Sequence, residues 1–329
     1  MNTKFSEALN NSSRIAIFSH AEPDADALCS AFALKNIIYN NYDYKFVDVF
    51  VDGEIGELYS PIIRNEILNP RPYSNYDVAF VLDCPNVERI GEKGLDVIKD
   101  IPFVINIDHH ETNVKFGDLN IVSPKVSSTC ELIYILSQVQ NLELNNLIAK
   151  QLYQGIITDT GCFTSLTTTS RTYRVVSELM KYKFDPNAIK EYYFKNNSMA
   201  KTKLLSMALS SMKFYKGELF TTMKIPYNAF EKSGASFEDT MGIVDNGINI
   251  NGTAITAMII EKKPGFLYCS LRSKGLVNVG DIAKEFGGGG SETVGAFQIE
   301  GNIDSLEKKL VEIVLPKLQN VEQVDEIFF

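Results

Sequence analysis

The first half of the chain alternates short apolar runs with segments of helical periodicity. The apolar runs are nearly continuous, as expected for strands that are covered on both faces of a sheet. Between them, apolar residues recur at the spacing of an amphipathic helix. This alternation predicts a doubly wound α/β domain, in which helices cover both faces of a parallel sheet. The predicted strands are 14–20, 44–51, 77–84 and 103–110, and the predicted helices are 25–40, 129–140 and 145–159.

The second half of the chain has a different pattern. Residues 181–212 are polar with helical spacing and predict a connector that leads into another α/β unit. We therefore expect a first domain over residues 1–190, a helical linker over 191–212 and a smaller α/β domain over 213–329. The strands expected in the smaller domain are 217–226, 252–262, 265–273 and 294–299, with a helix before the last of them at 279–286.

Composition supports a two-domain globular protein. The 329 residues, 45% of them hydrophobic and 22% charged, exceed the usual size of a single hydrophobic core. The N-terminal stretch contains no apolar signal core and no run reaches the length of a membrane span, so we expect a cytoplasmic protein that does not bind membranes. The five cysteines have no CxxC spacing, which favours reduced thiols, mostly in the core.

The net charge of −9 limits the class of binding partner. Long duplex nucleic acid is bound through many lysine and arginine contacts to phosphates, and an acidic chain lacks that footprint. If the substrate is anionic, the positive charge that receives it must be local. Metal ions can supply such charge.

Three of the four strands predicted in the first domain end in side chains that can bind a metal, and all three histidines of the chain are among them. The carboxyl ends of parallel strands meet at one edge of a sheet, so we expect these side chains to converge there. The set comprises His20, Asp24 and Asp26 after the first strand, Asp83 after the third, Asp108, His109 and His110 after the fourth, and Asp159 where a predicted helix ends.

Neutral imidazole together with several carboxylates suits Mn²⁺, Mg²⁺, Fe²⁺ or Co²⁺ better than a thiolate-bound structural zinc. Ionised carboxylates repel one another in a cleft, whereas two divalent ions about 3.5–4 Å apart and bridged by one carboxylate neutralise them and form a phosphoester-hydrolysing site. The alternative is that each group acts alone. Asp24 or Asp26 would then cap the next helix, Asp83 would be a turn residue and His109 a core histidine.

These motifs resemble those of the DHH phosphoesterase family. The matching stretches are "HAEPDADA" at 20–27, Asp83 after "AFVL", "DHH" at 108–110 and "TDTG" at 158–161. In the second half, "SLRS" at 270–273 and "FGGGG" at 286–290 resemble the RNA-facing domain associated with DHH proteins. The compact size is most similar to the nanoRNase and pAp-phosphatase branch (NrnA-like), and stand-alone cyclic-di-AMP or pApA phosphodiesterases share the architecture.

The resemblance implies a role for each residue of the set. Asp83 would bridge two ions, and His110 would face the scissile phosphate or lie behind the metal ligands. Asp108 would orient its neighbours, with turn capping as the alternative. One ion would be bound by His20, Asp24 and Asp83, and the other by Asp26, Asp83, His109 and Asp159. The active site would lie in a cleft between the two domains.

The resemblance also implies substrate-binding residues in the second domain. Arg272 would clamp a phosphate or base, because its planar guanidinium matches phosphate oxygens; a surface ion pair is the alternative. The backbone of Gly287, Gly288, Gly289 and Gly290 would cradle a phosphate, because a glycine run is poor as the interior of a strand or helix; a flexible loop is the alternative.

The chain departs from the family pattern beside the glycine run. Ser291 stands where the family has histidine, and Val294 and Ala296 replace the alanine and glycine of GGGGHxxAxG. Serine still donates a hydrogen bond to a phosphate oxygen but offers no ring for stacking. A milder departure is Ala25, where the motif often has glycine.

Together these features predict an Mn²⁺-dependent phosphodiesterase or phosphatase with two divalent cations. Its expected substrates are very short oligoribonucleotides, cleaved to 5′-mononucleotides, and pAp, converted to AMP. Hydrolysis of cyclic di-AMP or pApA is the first alternative. A non-catalytic nucleotide-binding regulatory protein is the second, although such a protein has no physical need for so many costly ionisable groups at one sheet edge. The resemblance is also compatible with a homodimer.

Overall fold

The computed structural model describes residues 2–318. The chain divides into two compact units between Asn196 and Asn197. No helix among these residues is both long enough and apolar enough to cross a membrane. All five cysteines are free, and four of them are buried, as the sequence predicts.

The first unit is built on a five-stranded, entirely parallel sheet, which confirms the predicted fold class. Its strands are β1 (Arg14–Phe18), β2 (Phe46–Phe50), β3 (Val78–Leu82), β4 (Val104–Asp108) and β5 (Leu119–Val122). Its helices are α1 (Asn2–Asn11), α2 (Ala25–Asn41), α3 (Ser60–Ile63), α4 (Gly91–Ile98), α5 (Thr129–Val139), α6 (Asn146–Asp159), α7 (Ser170–Leu179) and α8 (Pro186–Phe194), with 3₁₀ turns at Glu57–Tyr59 and Val87–Ile90.

Alternate residues of the inner strands enter two separate cores. Ile17 and Phe80 pack in the core that contains α2, α5 and α6, whereas Phe18 and Val81 pack in a second core with Ile98 at the end of α4. Both faces of the sheet are therefore covered, which explains the nearly continuous apolar runs of the inner strands. The pattern did not predict β5, because this short strand buries only one of its four residues.

The strand order β2-β1-β3-β4-β5 defines where the chemistry is expected. After β1 the chain adds β2 on one side, and from β3 onward it adds β4 and β5 on the other side. The connections therefore diverge at the carboxyl ends of β1 and β3, which are hydrogen-bonded neighbours. In open parallel sheets, ligands bind in the crevice at such a topological switch point.

The second unit contains a six-stranded mixed sheet in the order β10-β11-β9-β8-β7-β6, in which only β7 and β8 run parallel. Its strands are β6 (Lys213–Tyr215), β7 (Phe220–Ile225), β8 (Ile255–Lys263), β9 (Phe266–Ser273), β10 (Gly289–Gly290) and β11 (Val294–Glu300). Its helices are α9 (Met199–Ser210), α10 (Asn228–Ser233), α11 (Asp245–Ile248), α12 (Val279–Glu285) and α13 (Ile303–Lys317), with a 3₁₀ turn at Glu238–Thr240.

The polar helical segment that the sequence predicts at 181–212 contains α8 and α9. Helix α9 packs in the second unit, where Leu204 and Ala208 contact a core that includes Met223 and Ile225. The division between the two units falls in the short stretch between these helices.

Candidate metal centre

The candidate ligands follow the carboxyl ends of three neighbouring strands. His20 follows β1 after one intervening residue, Asp83 follows β3 directly, and His109 follows β4 directly. Asp83 has a φ of +58°, a left-handed backbone conformation that is uncommon for residues other than glycine and recurs at functional sites. The sharp turn at Asp83 places its carboxylate beside the switch point.

His20 presents one ring nitrogen to this site. Its Nδ1 lies 3.0 Å from the carbonyl oxygen of Ala21, which can only accept, so Nδ1 carries the proton and Nε2 has a free lone pair. His20 Nε2 lies 3.6 Å from Asp83 Oδ2 and 3.9 Å from Asp24 Oδ1. Asp24 is also the N-cap of α2 and accepts a hydrogen bond from the Ala27 N–H. Asp24 therefore caps α2 and at the same time lies close to His20.

A second group lies on the other side of Asp83. His109 Nε2 is 3.5 Å from Asp83 Oδ1 and 3.6 Å from Asp159 Oδ2, and Asp159 ends α6 as predicted. Asp26 completes this group, because one potential ligand atom from each of Asp26, His109 and Asp159 lies within 4.8 Å of the others. The two oxygens of Asp83 thus face different groups.

Asp26 is almost fully buried, and the amino end of α5 binds it. Asp26 Oδ2 accepts a hydrogen bond of 2.6 Å from the Thr129 N–H, and Oδ1 accepts one of 3.0 Å from the Cys130 N–H. The amide groups and dipole at a helix amino end favour a negative charge. The carboxylate therefore has two fixed donors without any cationic side chain.

The pKa values of these acids follow from burial and like charge. Burial, followed by the charges of Asp83 and Asp24, raises the pKa of Asp26 well above its ordinary value. Burial and the charges of Asp26 and Asp83 do the same to the pKa of Asp159. Burial also opposes ionisation of Asp83, but its interaction with His20 and the charges of His109 and His110 lower its pKa to about 2. Asp83 is thus stabilised as an anion, and its negative charge opposes ionisation of the neighbouring Asp26 and Asp159.

His110 is bound differently from His109. Its Nδ1 lies 2.7 Å from Asp108 Oδ1, and the fully buried Asp108 in turn accepts a hydrogen bond of 2.6 Å from Asn113 Nδ2. Burial lowers the pKa of His110, but Asp108 and Asp83 outweigh that effect and raise it to about 9. Because 41% of the side chain is exposed, His110 can present a protonated ring to an anion. His110 Nδ1 also lies 3.7 Å from Asp83 Oδ1.

The donor set fits divalent cations. Imidazole nitrogens and carboxylate oxygens are the ligands of Mn²⁺, Mg²⁺, Fe²⁺ and Co²⁺, and no cysteine of residues 2–318 belongs to a candidate ligand group. The Nδ1–H bond of His20 to a carbonyl is the orientation usual for metal-binding histidines. The raised pKa values of Asp26 and Asp159 mark a shortage of positive charge that cations would relieve.

The residues that the sequence predicts to bind substrate lie in the second unit. Arg272 donates from Nε to Asp245 Oδ1 at 2.9 Å and from Nη1 to Ser270 Oγ and the Leu271 carbonyl oxygen, so the alternative of an ion pair is realised. These contacts leave the two donors of Nη2 for a further acceptor. The side chain remains 26% exposed, which is compatible with a phosphate contact.

The glycine run is ordered by close packing of backbones. The last two glycines form β10 and pair with β11, which corrects the expectation that the run is unsuited to a strand. A Cβ at Gly288 would overlap the Ala296 carbonyl oxygen, and one at Gly290 would overlap that of Val294. Ser291 closes the turn by donating its N–H to the Val294 carbonyl oxygen at 2.7 Å.

Gly287 and Gly289 differ from the two glycines that pack against β11. A Cβ added at either position would meet no neighbouring atom within 4 Å. These two glycines are therefore not required by internal packing. The Gly287 N–H already donates to the Lys284 carbonyl oxygen at 3.0 Å, so what these two positions offer a ligand is open space beside the backbone.

Two contributors to the centre were missed in the sequence. Thr129 donates its hydroxyl to Asp83 Oδ1 at 2.9 Å, and Asn113 connects Asp108 to Asn106. One feature of the sequence indicated Asn113, namely its position only three residues after His110. Thr129 carried the ordinary signal of a helix start after an N-cap serine, which gives no indication of what its side chain contacts.

Comparison with known proteins agrees with this architecture. Residues 14–156 match the DHH family, N-terminal domain, and residues 222–315 match the DHHA1 domain. A Streptococcus mutans protein named probable bifunctional oligoribonuclease and PAP phosphatase NrnA is 30% identical, with 84% of this chain and 86% of that protein covered. The cyclic-di-AMP phosphodiesterase PdeA of Listeria monocytogenes is 27% identical over 94% of this chain but only 48% of its own length.

A solved structure shows the same fold over nearly the whole chain. The crystal structure of an exopolyphosphatase-related protein from Bacteroides fragilis superposes with a TM-score of 0.86 at 26% identity, and 96% of each chain is covered. The matched domains occur in the order that the motifs indicate, and "TDTG" at 158–161 lies just beyond the first match. The chain therefore belongs to the DHH family of phosphoesterases and combines its N-terminal domain with a DHHA1 domain.

Proposed function

We propose that the protein is an Mn²⁺-dependent phosphodiesterase that cleaves very short oligoribonucleotides to 5′-mononucleotides and also converts pAp to AMP. The single observation that carries this proposal is the shared position of Asp83, whose two oxygens face two separate groups of potential ligands. The similarity to proteins named oligoribonuclease and PAP phosphatase supports the choice of substrates.

In this proposal some residues of the first unit bind the cations and others contact the phosphate. One cation is bound by His20, Asp24 and Asp83, and the other by Asp26, Asp83, His109 and Asp159. Bound cations supply Lewis-acid stabilisation of the charge that develops on the phosphoryl group. His110, with Asp108 behind it, binds a phosphate oxygen through its exposed ring and stabilises negative charge there.

Residues of the second unit hold the substrate in this proposal. Arg272 binds a phosphate through its remaining donors, and the backbone at Gly287 and Gly289 approaches a terminal phosphate. Ser291 offers a hydroxyl in place of the family's histidine. The proposal includes a cytoplasmic protein that does not act on long duplexes and is compatible with a homodimer.

A second candidate function is the hydrolysis of cyclic di-AMP or pApA. It is favoured by the similarity to the Listeria phosphodiesterase, about half of whose length this chain matches. Both functions use the same metal centre, so only the substrate separates them. A non-catalytic regulatory protein would have no use for the full ligand set.

The decisive experiment compares four substrates under one condition. The purified protein with Mn²⁺ is incubated with pAp, pApA, cyclic di-AMP and a five-nucleotide RNA, and the products are separated by chromatography. We expect the highest kcat/KM for short RNA and pAp, with 5′-mononucleotides as products and no activity after chelation. Preferential cleavage of cyclic di-AMP would select the second candidate, and no hydrolysis of any substrate would contradict both.

A further inference from the structure

Thr129 connects the two groups of potential ligands. It is fully buried at the first position of α5. Its backbone N–H donates to Asp26 Oδ2 at 2.6 Å, and its hydroxyl donates to Asp83 Oδ1 at 2.9 Å. Asp26 lies on α2 and Asp83 follows β3, so one residue binds carboxylates from two separate elements.

The hydroxyl bond determines how the Asp83 carboxylate is turned. The terminal torsion of an aspartate is broad, so its rotamer alone does not fix which oxygen points where. Thr129 donates to Oδ1, the oxygen that lies 3.5 Å from His109 Nε2. The other oxygen, Oδ2, is then directed to His20 at 3.6 Å. The orientation in which Asp83 faces both groups therefore depends on a donor at the position of the Thr129 hydroxyl.

The segment that carries Thr129 is itself held firmly. Ser128 is the N-cap of α5 and accepts a hydrogen bond from the Glu131 N–H. The buried Glu131 carboxylate accepts from the Ser127 N–H and hydroxyl, from Thr172 Oγ1 and from Arg171 Nε. A site holds its geometry when the groups that orient its ligands are themselves fixed. This network gives Thr129 such support.

We propose that Thr129 is a positioning residue of the metal centre, which orients the shared Asp83 carboxylate toward both ligand groups and couples it to Asp26. The inference rests on the proposed function in assuming that Asp26 and Asp83 are metal ligands. The two contacts of Thr129 are separable, because the N–H bond to Asp26 survives any change of side chain. The hydroxyl bond to Asp83 does not.

The test measures cation binding directly. The metal-free, full-length protein is titrated with MnCl₂ in a calorimeter, as wild type and as Thr129→Val, which keeps the side-chain shape and removes the hydroxyl. Loss of a group that orients a ligand typically weakens metal binding about 10–100-fold, and we expect that increase in Kd for Thr129→Val. Thr129→Ser keeps the donor, so its Kd should stay within about threefold of the wild-type value.

Thr222→Val is the matched control. Thr222 is also a fully buried threonine, and its hydroxyl also donates to a buried carboxylate, but that carboxylate belongs to Glu307 in the second unit, which is not a candidate ligand. We expect Thr222→Val to lower the melting temperature and to leave the Kd for Mn²⁺ unchanged. If it weakened Mn²⁺ binding as much as Thr129→Val does, a general loosening of the protein would explain both, and the proposal would be wrong.

The remaining outcomes separate this inference from the proposed function. Wild-type Kd in Thr129→Val would overturn the positioning role even if the wild-type enzyme cleaves short RNA. A weakened Kd would uphold it even if none of the four substrates were cleaved. If Thr129→Val does not fold, the pair Thr129→Ala and Thr129→Ser, which differ only in the hydroxyl, decides the question by the same titration. Equal Kd values in that pair would contradict the proposal.

Discussion

The two units each contain a cluster of buried charge, and the clusters are balanced in opposite ways. In the second unit, the buried carboxylate of Glu307 accepts hydrogen bonds from Lys213 at 2.8 Å, from Lys224 at 3.1 Å and from the Thr222 hydroxyl at 2.7 Å. Lys224 also pairs with Asp304. Two lysines thus face two carboxylates, and no further charge is needed.

The cluster at the strand ends of the first unit lacks that balance. Its five carboxylates are accompanied by three histidines, and within residues 2–318 none of them forms an ion pair with a lysine or arginine. Burial and mutual repulsion raise the pKa of Asp26 and Asp159, whereas the lysine contacts lower the pKa of Glu307 despite its burial. A buried acidic cluster without internal cations is thus a candidate for binding a cation from outside, whereas a neutralised one is part of the structure.

The largest effect is expected when the shared ligand is removed. Asp83→Ala deletes the carboxylate whose two oxygens face the two groups, so we expect loss of both cations. Metal ions contribute several kcal/mol of charge stabilisation in phosphoryl transfer, so kcat should fall at least about a thousandfold. Activity on short RNA and calorimetric titration with Mn²⁺ measure this. Full activity in Asp83→Ala, or in wild type after exhaustive chelation, would contradict the two-cation account of the cluster.

The neighbouring histidines should separate binding from catalysis. His109→Ala removes a ring that lies between Asp83 and Asp159, so metal occupancy should fall. In the proposed assignment His110 faces the phosphate and is not a metal ligand, so His110→Ala should retain occupancy while kcat falls about a hundredfold. Elemental analysis of the dialysed variants, together with kcat, distinguishes them. Retained occupancy in His109→Ala with loss in His110→Ala would reverse the assignment.

How far the sequence predicts this site depends on the kind of contact. His20, Asp83 and His109 were predictable because parallel strands bring their carboxyl ends together whatever the details of packing. The pairing of Arg272 with Asp245 was not, because those residues are 27 positions apart and only the packed sheet and α11 bring them together. The contact of Thr129 with Asp83 was not predictable from the sequence for the same reason. Strand topology follows from sequence pattern, but the partners of single side chains follow from tertiary packing.

A smaller effect is expected at Arg272, where the ion pair with Asp245 competes with a substrate contact. If Nη2 binds phosphate, Arg272→Ala should raise KM for short RNA about tenfold with little change in kcat, since a hydrogen bond to a charged group contributes about 1.5–3 kcal/mol. Asp245→Asn is the matched variant, because it weakens the same ion pair and leaves the arginine in place. Its KM should not rise. Equal increases in KM would show that only the ion pair matters.

A substitution of Ser291 tests whether substrate affinity can be increased. Ser291→His restores the ring that the family carries at this position, and a stacked or protonated ring could add about 1–2 kcal/mol of substrate binding. We therefore expect KM for short RNA to fall by about tenfold, with metal affinity unchanged. Steady-state kinetics measure this. If both this variant and Arg272→Ala leave every constant unchanged, the second unit does not hold the substrate.

Stability as a function of pH should differ between the clusters. In metal-free protein, the raised pKa values of Asp26 and Asp159 mean that the fold retains protons that the unfolded chain releases, so their contribution to stability is lost as pH rises above about 4. The lowered pKa of Glu307 acts in the other direction, and its contribution is lost as pH falls below its ordinary value near 4.5. Thermal melts with and without Mn²⁺ measure both effects.

Two variants separate these contributions. Asp159→Asn should raise the melting temperature of metal-free protein at pH 8 and have little effect at pH 4. Glu307→Gln should lower it by the equivalent of about 2 kcal/mol at pH 7, less than for a fully buried pair because Lys213 is half exposed, and by less at pH 3. Equal effects of either variant at both pH values would contradict the assigned charge states.

The most direct test counts the cations in the wild-type protein. Crystals grown with Mn²⁺ and measured at an X-ray energy where manganese scatters anomalously reveal each bound ion and its ligands. The account predicts two anomalous peaks per chain in the first unit, one bound by His20, Asp24 and Asp83 and the other by Asp26, His109 and Asp159, with Asp83 bound to both. A single peak, or two peaks that do not share Asp83, would contradict it.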